Sequence, residues 1–413
     1  MVGQGFRTDI EMTQGERKDH DESRRSNRPH ALAKSLRDWR MDARCGVTAL
    51  SLMGGEAFAK SGSGSARPGR SPEACQATAR TMLQSCSAEV TEQNKAVLAN
   101  CLNLSTEDER RQCQSDARLT RREEADLCEE QLDARKDVCD LLEETRYDVE
   151  PLSNPALSFV DPDTIGVSTE PNPFLSLEAG QTRVLRGGPV FEETVVIHVT
   201  SETRQILGKP CRVIADVVTK AQNVGGVVSY SAVEVTDDWV AQGQSGDLYY
   251  CGELSLGYED GILRNLDGSF EAGIEFAKSG LLIAAAPQVG RAHRQEFSLG
   301  EAEDIVQYVS LTADVPAAEG GDNLLFPCAG QCLKTAESIP LEPNAGEFKY
   351  YRAGVGFVLA VDHEEDLPTG VRDELVCAGD SLDLLDDPSC GIADPAALRA
   401  TLCKLSPAAF CAD

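Results

Sequence analysis

Apolar residues form a thin stripe at helical spacing through the first strongly patterned stretch of the chain, residues 72–147. Positions three or four residues apart share one face of a helix, so the stripe predicts helices that bury little apolar surface. Pro72 fits the first turn of one helix, and Ser105 or Thr106 with Glu109 fits the capped start of a second. The pattern therefore predicts an antiparallel helical hairpin.

Six cysteines in this stretch can be paired around one midpoint, Glu107. The nested pairs are Cys75–Cys139, Cys86–Cys128 and Cys101–Cys113. Their spacing returns each side chain to nearly the same helix face, so we predict three disulfide rungs worth about 3 kcal/mol each. Spacing alone leaves other pairings and reduced, buried cysteines open. Zinc ligands would be spaced more closely than these residues are.

The pattern changes to β-branched alternation and short turns between residues 174 and 362, after a proline-rich connector at residues 148–173. Consecutive strands with short turns favour an antiparallel sheet that curls into a barrel or half-barrel. The predicted strands are Glu193–Thr200, Cys211–Thr219, Val227–Gln242, Asp247–Leu256, Ile262–Asn265, Leu281–Ala285, His293–Leu299, Ile305–Thr312, Cys332–Ser338 and Phe348–Val361.

The chain ends in a small acidic, cysteine-rich tail at residues 363–413. Its cysteines allow several pairings, and two local disulfides that cap the sheet are our interpretation. A short helix is expected from Asp394-Pro395 to Leu405. The four cysteines are Cys377, Cys390, Cys403 and Cys411. The expected fold class is thus α+β, with a disulfide-braced hairpin, a curled antiparallel sheet and this tail.

The beginning of the chain has the features of an export signal. Residues 1–40 are polar and lack an apolar period, which is typical of disorder. A basic flank, a mildly apolar run at Gly46–Gly55 and the Ala57-Phe58-Ala59 ending then predict a secretory signal cleaved after Ala59. Residues 60–71 form a Gly/Ser linker. The sequence contains no run of apolar residues long enough for a membrane span.

Composition supports the same compartment. The chain has 15 cysteines in 413 residues, too many for a reducing cytosol unless metals bind them. Without Cys45, which precedes the predicted cleavage site, an even number remains. The formal net charge is −29, and residues 151–413 contain 16 Lys and Arg against 40 Asp and Glu. This acidity excludes nucleic acid as a favoured partner and disfavours anionic membrane surfaces.

A set of ordered motifs between about Val138 and Asp362 is similar to one in a family of exported bacterial proteins with no assigned activity. The motifs are Val138-Cys139-Asp140-Leu141-Leu142, Asn172-Pro173-Phe174, Asp238-Trp239-Val240-Ala241-Gln242, Arg294-Gln295-Glu296-Phe297, Cys332-Leu333-Lys334-Thr335 and Lys349-Tyr350-Tyr351 through Gly354-Val355-Gly356. The resemblance implies export and a β-rich domain, and it supplies no catalytic residues.

The chain departs from the family pattern at Tyr249-Tyr250-Cys251 and at Cys328. Taken together with the resemblance, the two departures imply one extra disulfide, Cys251–Cys328, which leaves Cys211 with Cys332. A redox-active Cys328/Cys332 pair is the alternative.

Arg294, Glu296, Glu303 and Asp304 are the predicted ligand-binding residues. Strand alternation would place Arg294 and Glu296 on one face, where an arginine and carboxylates could orient a polar ligand. A structural ion-pair network is the alternative. Tyr350 and Tyr351 alternate faces, so one of them is expected to line the same cavity.

Other chemistry has weaker support. His198, His293 and His363 are scattered, so we expect no metal site and no cofactor. Glu296 with Glu303 or Asp304 could form an acid/base pair of a hydrolase-type enzyme.

The leading hypothesis is an exported, non-enzymatic binding or envelope-associated protein. In it, the β domain holds a small or apolar ligand or an envelope partner, and the hairpin serves as a spacer. The expected location is periplasmic or extracellular.

Overall fold

The structure is a computed structural model of the chain. It describes residues 73–188, 192–321, 324–343, 345–364 and 367–411. The predicted disordered lead, signal segment and linker at residues 1–71 lie outside the described residues.

Two long helices begin the described chain: α1, Ala74–Leu102, and α2, Glu107–Leu141. Thr106 caps α2, because its hydroxyl accepts a hydrogen bond from the backbone N–H of Glu109 and the Glu109 carboxylate accepts one from the backbone N–H of Thr106. Three disulfides join the helices, namely Cys75–Cys139, Cys86–Cys128 and Cys101–Cys113. These are the pairs that the symmetric spacing predicts. Neither helix, nor any other in the described residues, is long and apolar enough to cross a membrane.

The sheet follows a connector with two short 3-10 turns, Pro151–Ser153 and Pro162–Thr164. Its first eight strands are β1 Thr182–Gly187, β2 Glu193–Ile206, β3 Lys209–Val224, β4 Val227–Gln242, β5 Leu248–Glu259, β6 Ile262–Asn265, β7 Phe270–Glu271 and β8 Lys278–Ile283. The others are β9 Ala292–Arg294, β10 Glu296–Phe297, β11 Ile305–Ala313, β12 Cys332–Ser338, β13 Ala345–Arg352, β14 Gly356–Glu364 and β15 Leu367–Gly379.

Thirteen of these strands form one continuous antiparallel sheet in the order β10-β8-β5-β4-β3-β2-β1-β15-β14-β13-β12-β11-β9, with β6 and β7 attached to β5. Only Gln295 separates the two end strands in the chain. Arg294 in β9 pairs with Ile305 in β11, and Glu296 in β10 pairs with Ser279 in β8. One segment therefore joins both ends of the sheet and nearly closes it, which confirms the expectation of a curled antiparallel sheet.

Apolar side chains close one end of the curled sheet. Leu177 and Ile165, from the stretch that precedes β1, pack in one cluster with Val199, Ile214 and Val240 from three successive strands. Phe174 and Leu175 pack against the same cluster. The connector therefore folds against the apolar end of the strands and supplies part of the core.

The tail packs on the outside of the sheet. Helix α3, Pro395–Leu405, buries Leu398 and Leu402 in one cluster with Val184, Val196 and Ala215. Helix α4, Pro407–Phe410, follows it, and Asp394 caps α3. Two local disulfides occur here, Cys377–Cys390 and Cys403–Cys411.

Two sequence-based assignments differ from the structure. The predicted pairs Cys211–Cys332 and Cys251–Cys328 are wrong, because Cys211 bonds to Cys251 and Cys328 bonds to Cys332. Cys211 and Cys251 lie in β3 and β5, on either side of β4, while the second pair closes a tight turn. The sheet also extends beyond Asp362, since β15 at Leu367–Gly379 inserts between β14 and β1. The tail contributes this strand to the sheet.

Candidate functional site

Carboxylates from many strands face the interior of the curled sheet, a surface that we call the inner face. The register aligns Asp216 of β3 with Thr236 of β4, and Asp238 of β4 with Glu253 of β5. Burial and the nearby carboxylate of Asp373 in β15 raise the pKa of Asp216. Because β3 and β15 are not adjacent strands, the charge of Asp373 acts on Asp216 across the curled sheet. The inner-face carboxylates are Asp216, Glu234, Asp238, Glu253, Glu296, Asp304, Glu337, Glu347, Asp362 and Asp373.

Asp238 and Glu253 form the first cluster, linked by Tyr250. The Tyr250 hydroxyl lies within hydrogen-bond distance of Asp238 Oδ1 and lies 2.7 Å from Glu253 Oε2. A single hydroxyl proton cannot serve both carboxylates, so a second proton is needed when they are this close. Burial and then mutual repulsion accordingly raise the pKa of Glu253 well above its usual range. This cluster holds a proton at neutral pH.

Glu296 and Asp304 form the second cluster. Burial, followed by the nearby charge of Asp304, raises the pKa of Glu296, and the two carboxyl groups are hydrogen-bonded to each other. Such a pair ionises in two coupled steps, because the first negative charge opposes the second. The hydrogen bond raises the pKa of Glu296 and lowers that of Asp304, so Glu296 is the donor of the pair.

Lys349 supplies a cation to the third cluster. Its Nζ lies 2.7 Å from Glu337 Oε2 and 3.1 Å from Glu347 Oε2. The lysine side chain is 30% exposed, so solvent reaches this part of the inner face. The two carboxylates outweigh the effect of burial and keep the pKa of Lys349 above its ordinary value.

Asp216 differs from the other carboxylates in its surroundings. Its Oδ1 atom is buried and has no hydrogen-bond partner. The charges of Asp238, Glu234 and Asp373 all raise its pKa further, and the charge of Lys349 opposes them only in part. A buried, unpartnered carboxylate is costly unless it is protonated or meets a cation. Asp216 Oδ1 is therefore an acceptor on the inner face that a cation or a hydrogen-bond donor would stabilise.

The helical hairpin docks on the outside of the segment that closes the sheet. Arg135 of α2 donates two hydrogen bonds to Glu303, from Nε to Oε2 at 2.9 Å and from Nη2 to Oε1 at 2.7 Å. Both side chains are buried. Arg294 forms a salt bridge with Glu144, which follows α2. The hairpin is thus attached through charged groups that belong to the same segment as Glu296 and Asp304.

Apolar and hydrogen-bonded contacts complete this junction. Gln131 Nε2 donates to the backbone carbonyl of Leu341 at 2.9 Å. The Tyr147 ring packs against Phe297 at 4.9 Å between centroids, and its hydroxyl donates to the carbonyl of Ser279. A cleft of about 80 Å³ remains between hairpin and sheet. That volume is well below the usual range for ligand pockets, so the junction is better suited to docking than to ligand binding.

The predicted ligand-binding residues divide between these two places. Glu296, Asp304 and Tyr351 contribute to the inner face. Arg294 and Glu303 instead bind the hairpin. The expectation that Arg294 and Glu296 share a face is wrong, because the strand changes its pairing partner at Gln295.

Tyr350 is not part of the inner face either. Its hydroxyl donates to Glu319, and Lys334 and His363 contact the same carboxylate. His198 bonds to Thr182, so His198 and His363 have separate partners. In the part of the chain that the structure describes, no group of three or more histidine, cysteine, aspartate or glutamate side chains is arranged to hold a metal ion.

Several inner-face residues escaped the sequence reasoning, namely Asp216, Asp238, Glu253, Glu337, Glu347 and Lys349. Each is a charged residue within a strand, and most of these strands are rich in β-branched or aromatic residues. Such a residue can face solvent or a polar interior, and one sequence does not distinguish the two. Their recurrence at aligned positions of successive strands becomes visible only once the register is known.

Comparison of the chain with protein-family models, with curated proteins and with solved structures gives no match. The assignment of a function therefore rests on the geometry of the inner face and of the hairpin junction.

Proposed function

We propose that the protein is an exported, non-catalytic binding protein whose small ligand occupies the inner face of the sheet. The observation that carries this proposal is the set of carboxylates that converge on the inner face, which solvent reaches at Lys349. Burying so many acidic groups costs stability, and strained or costly groups persist where function needs them. An acidic interior favours a polar ligand over an apolar one.

Export is supported by the pairing of cysteines. All fourteen cysteines of the described residues are in seven disulfides. Structural disulfides form and persist in oxidising compartments. The resemblance to exported bacterial proteins and the signal-like segment before Lys60 support the same location. We therefore infer a periplasmic or extracellular protein.

The hairpin is proposed to act as an arm. Its base docks on the sheet through Arg135 and Gln131, while Leu102, Leu104 and Leu119 near its tip are exposed. The three disulfide rungs would keep the arm straight, so that it projects away from the sheet. The exposed leucines at the tip would suit contact with a partner protein of the cell envelope.

A hydrolase that uses Glu296, Glu303 and Asp304 is the second candidate, and the geometry favours it less. Both Glu303 oxygens bind Arg135. Glu296 and Asp304 bond directly to each other, so their carboxyl groups are closer together than the two carboxyl groups of a glycoside hydrolase.

Native mass spectrometry of the full chain, purified without denaturation from the compartment where it accumulates, tests the binding proposal. We expect an added non-covalent mass that leaves on unfolding. The variant Glu253→Gln/Asp304→Asn should lose that mass, because it alters two inner-face clusters. The control Asp237→Asn changes a residue on the outer side of β4 and should retain it. Absence of any added mass in all three proteins would contradict the proposal.

A further inference from the structure

We propose that the ligand of the inner face is an aliphatic polyamine, a flexible chain of methylene groups that carries two or more ammonium groups. This inference rests on the proposed binding function and names its ligand class.

Lys349 already shows how the inner face binds an alkylammonium group. Its Nζ lies between Glu337 and Glu347, at 2.7 Å and 3.1 Å from their nearest oxygens. Hydrogen bonds between an ammonium and carboxylates are among the strongest in proteins. Lys349 is therefore an example, within the protein itself, of an ammonium group bound by inner-face carboxylates.

Five inner-face carboxylates that surround Lys349 less closely have no ammonium partner among the hydrogen bonds and ion pairs of the described residues, namely Asp216, Asp238, Glu253, Glu296 and Asp304. Asp216 Oδ1 is buried without a hydrogen-bond partner. Asp238 and Glu253 are bridged by the Tyr250 hydroxyl and are hydrogen-bonded to each other, and Glu296 and Asp304 share a proton. Each location can accept an ammonium group, which would replace the shared proton or fill the unmet bond.

The arrangement of these sites favours a polyamine over a metal ion. A divalent cation needs several oxygens converging on one point, and no such group occurs among the described residues. The acidic sites instead lie on separate strands, from Asp216 on β3 through Glu253 on β5 to Asp304 beside β11. A chain with ammonium groups spaced by methylenes can reach more than one of them at once.

The aromatic side chains of the inner face suit the methylene segments. Tyr250 lies beside Asp238 and Glu253, and Tyr351 lies beside Lys349 and Glu337. Ring faces attract cations and also pack against methylene chains. The alternation of acidic and aromatic groups therefore matches a ligand with alternating charged and apolar parts.

Polyamine binding should release protons. Where two carboxyl groups share a proton, an incoming ammonium group takes over its role, and the proton leaves to solvent. Binding should therefore weaken as the pH falls, because protons compete for the same oxygens.

Isothermal titration calorimetry of the full disulfide-bonded chain with spermidine tests the inference. Near neutral pH and at physiological salt we expect saturable binding with one ligand per chain. We expect affinity at least about tenfold lower near pH 5. Titrations in two buffers of different ionisation enthalpy should show net proton release. Magnesium chloride at matched ionic strength should neither bind nor compete.

Asp216→Asn is the diagnostic variant. It removes the negative charge beside a buried oxygen that has no hydrogen-bond partner, so it should fold and should unfold no more easily than the parent chain. We expect it to weaken spermidine binding about tenfold or more. Asp237→Asn, on the outer side of the neighbouring strand β4, should leave the affinity unchanged.

Each result separates the alternatives. Equal binding by magnesium would overturn the polyamine inference and indicate an inorganic cation site. Unchanged affinity in Asp216→Asn, or no spermidine binding at all, would also overturn it. A neutral or anionic native ligand seen by mass spectrometry would leave the proposed binding function intact and remove only the polyamine.

Discussion

Glu303 and Asp304 are neighbours in the chain, yet their carboxylates bind on opposite sides of the sheet. Glu303 accepts two hydrogen bonds from Arg135 of the docked hairpin. Asp304 is hydrogen-bonded to Glu296 on the inner face. The alternation of neighbouring side chains thus links the hairpin junction to the proposed ligand site. A substitution at the hairpin junction should therefore alter the position of Asp304 on the inner face.

Breaking the Arg135–Glu303 pair should strongly destabilise the protein. Removing one partner leaves a buried charge without compensation, so Arg135→Ala or Glu303→Gln should each cost about 3–5 kcal/mol. The double variant Arg135→Met/Glu303→Leu should recover much of this loss. Urea-induced unfolding measures all three. Arg111→Ala, which breaks an exposed pair with Glu107, should cost less than about 1 kcal/mol. A loss below that limit for Arg135→Ala would contradict a buried anchor.

Stability should fall as the pH rises from acid to neutral. Burial and neighbouring carboxylates raise the pKa of Asp373 from 3.8 to about 6. Between these values the folded chain holds a proton that the unfolded chain has lost, so the free energy of unfolding decreases with pH. Asp238, Glu253, Asp304 and Glu347, whose pKa values burial also raises, act in the same direction. A tenfold difference in proton affinity between the folded and unfolded chain corresponds to about 1.4 kcal/mol, and to less for partly exposed groups.

Urea unfolding at a series of pH values between about 4 and 8 measures this slope. Asp373→Asn should flatten the curve, and Asp140→Asn, at an exposed position of α2, should leave it unchanged. A curve that rises over the whole range would show that the inner-face carboxyls are not protonated in the folded protein. Spermidine should reduce the slope if it replaces those protons.

Gly280 should be essential for closing the sheet. A Cβ at this position would lie 2.4 Å from the backbone of Gln295, the residue between β9 and β10. Gly280→Ala should therefore separate β8 from this segment and cost about 1–3 kcal/mol or more. Gly346→Ala is the matched control, because its nearest neighbour, the backbone oxygen of Glu337, is 3.7 Å away. Thermal unfolding of both variants checks the difference, and equal melting temperatures would contradict the tight contact.

The disulfide that spans β4 should matter more than the rung nearest the hairpin tip. Cys211–Cys251 closes a loop of 40 residues and Cys101–Cys113 one of 12. The chain-entropy relation gives about 4 and about 3 kcal/mol, to which the buried sheet pair adds lost packing. Paired Cys→Ala variants, unfolded in urea, measure both costs. A peptide map without reductant that links Cys211 to Cys332 would contradict the pairing.

Sequence reasoning succeeded where local signals were strong. The Thr106–Glu109 capping box marks the start of a helix, and the nested cysteine spacing indicates how the two helices pair. Together they predict the hairpin without information on the rest of the fold. The alternation of β4 and the short turns likewise suffice to predict an antiparallel sheet. These features depend on contacts between residues that are close in sequence or symmetric in spacing.

The disulfides of the sheet and the inner face depend instead on tertiary register. Cys211 and Cys251 meet because β3 and β5 flank the same strand, which no spacing rule reveals. Glu296 turns inward because the chain changes partner at Gln295, and regular alternation predicts the opposite. In the sequence, Asp216 does not differ from any other charged residue of a strand. Only the fold brings it within the influence of the charges of Asp373 and Lys349.

The seven disulfides have a mechanical consequence. Three lie within the hairpin, two within the sheet and its turns, one between the sheet and its tail and one within the tail, and among the described cysteines none crosses from hairpin to sheet. Under tension the two covalently stiffened bodies should part at the Arg135–Glu303 contact before either one unravels. The hairpin and the sheet would then separate as two rigid units at this ion pair. A force applied to the hairpin would act first on Glu303 and on its neighbour Asp304.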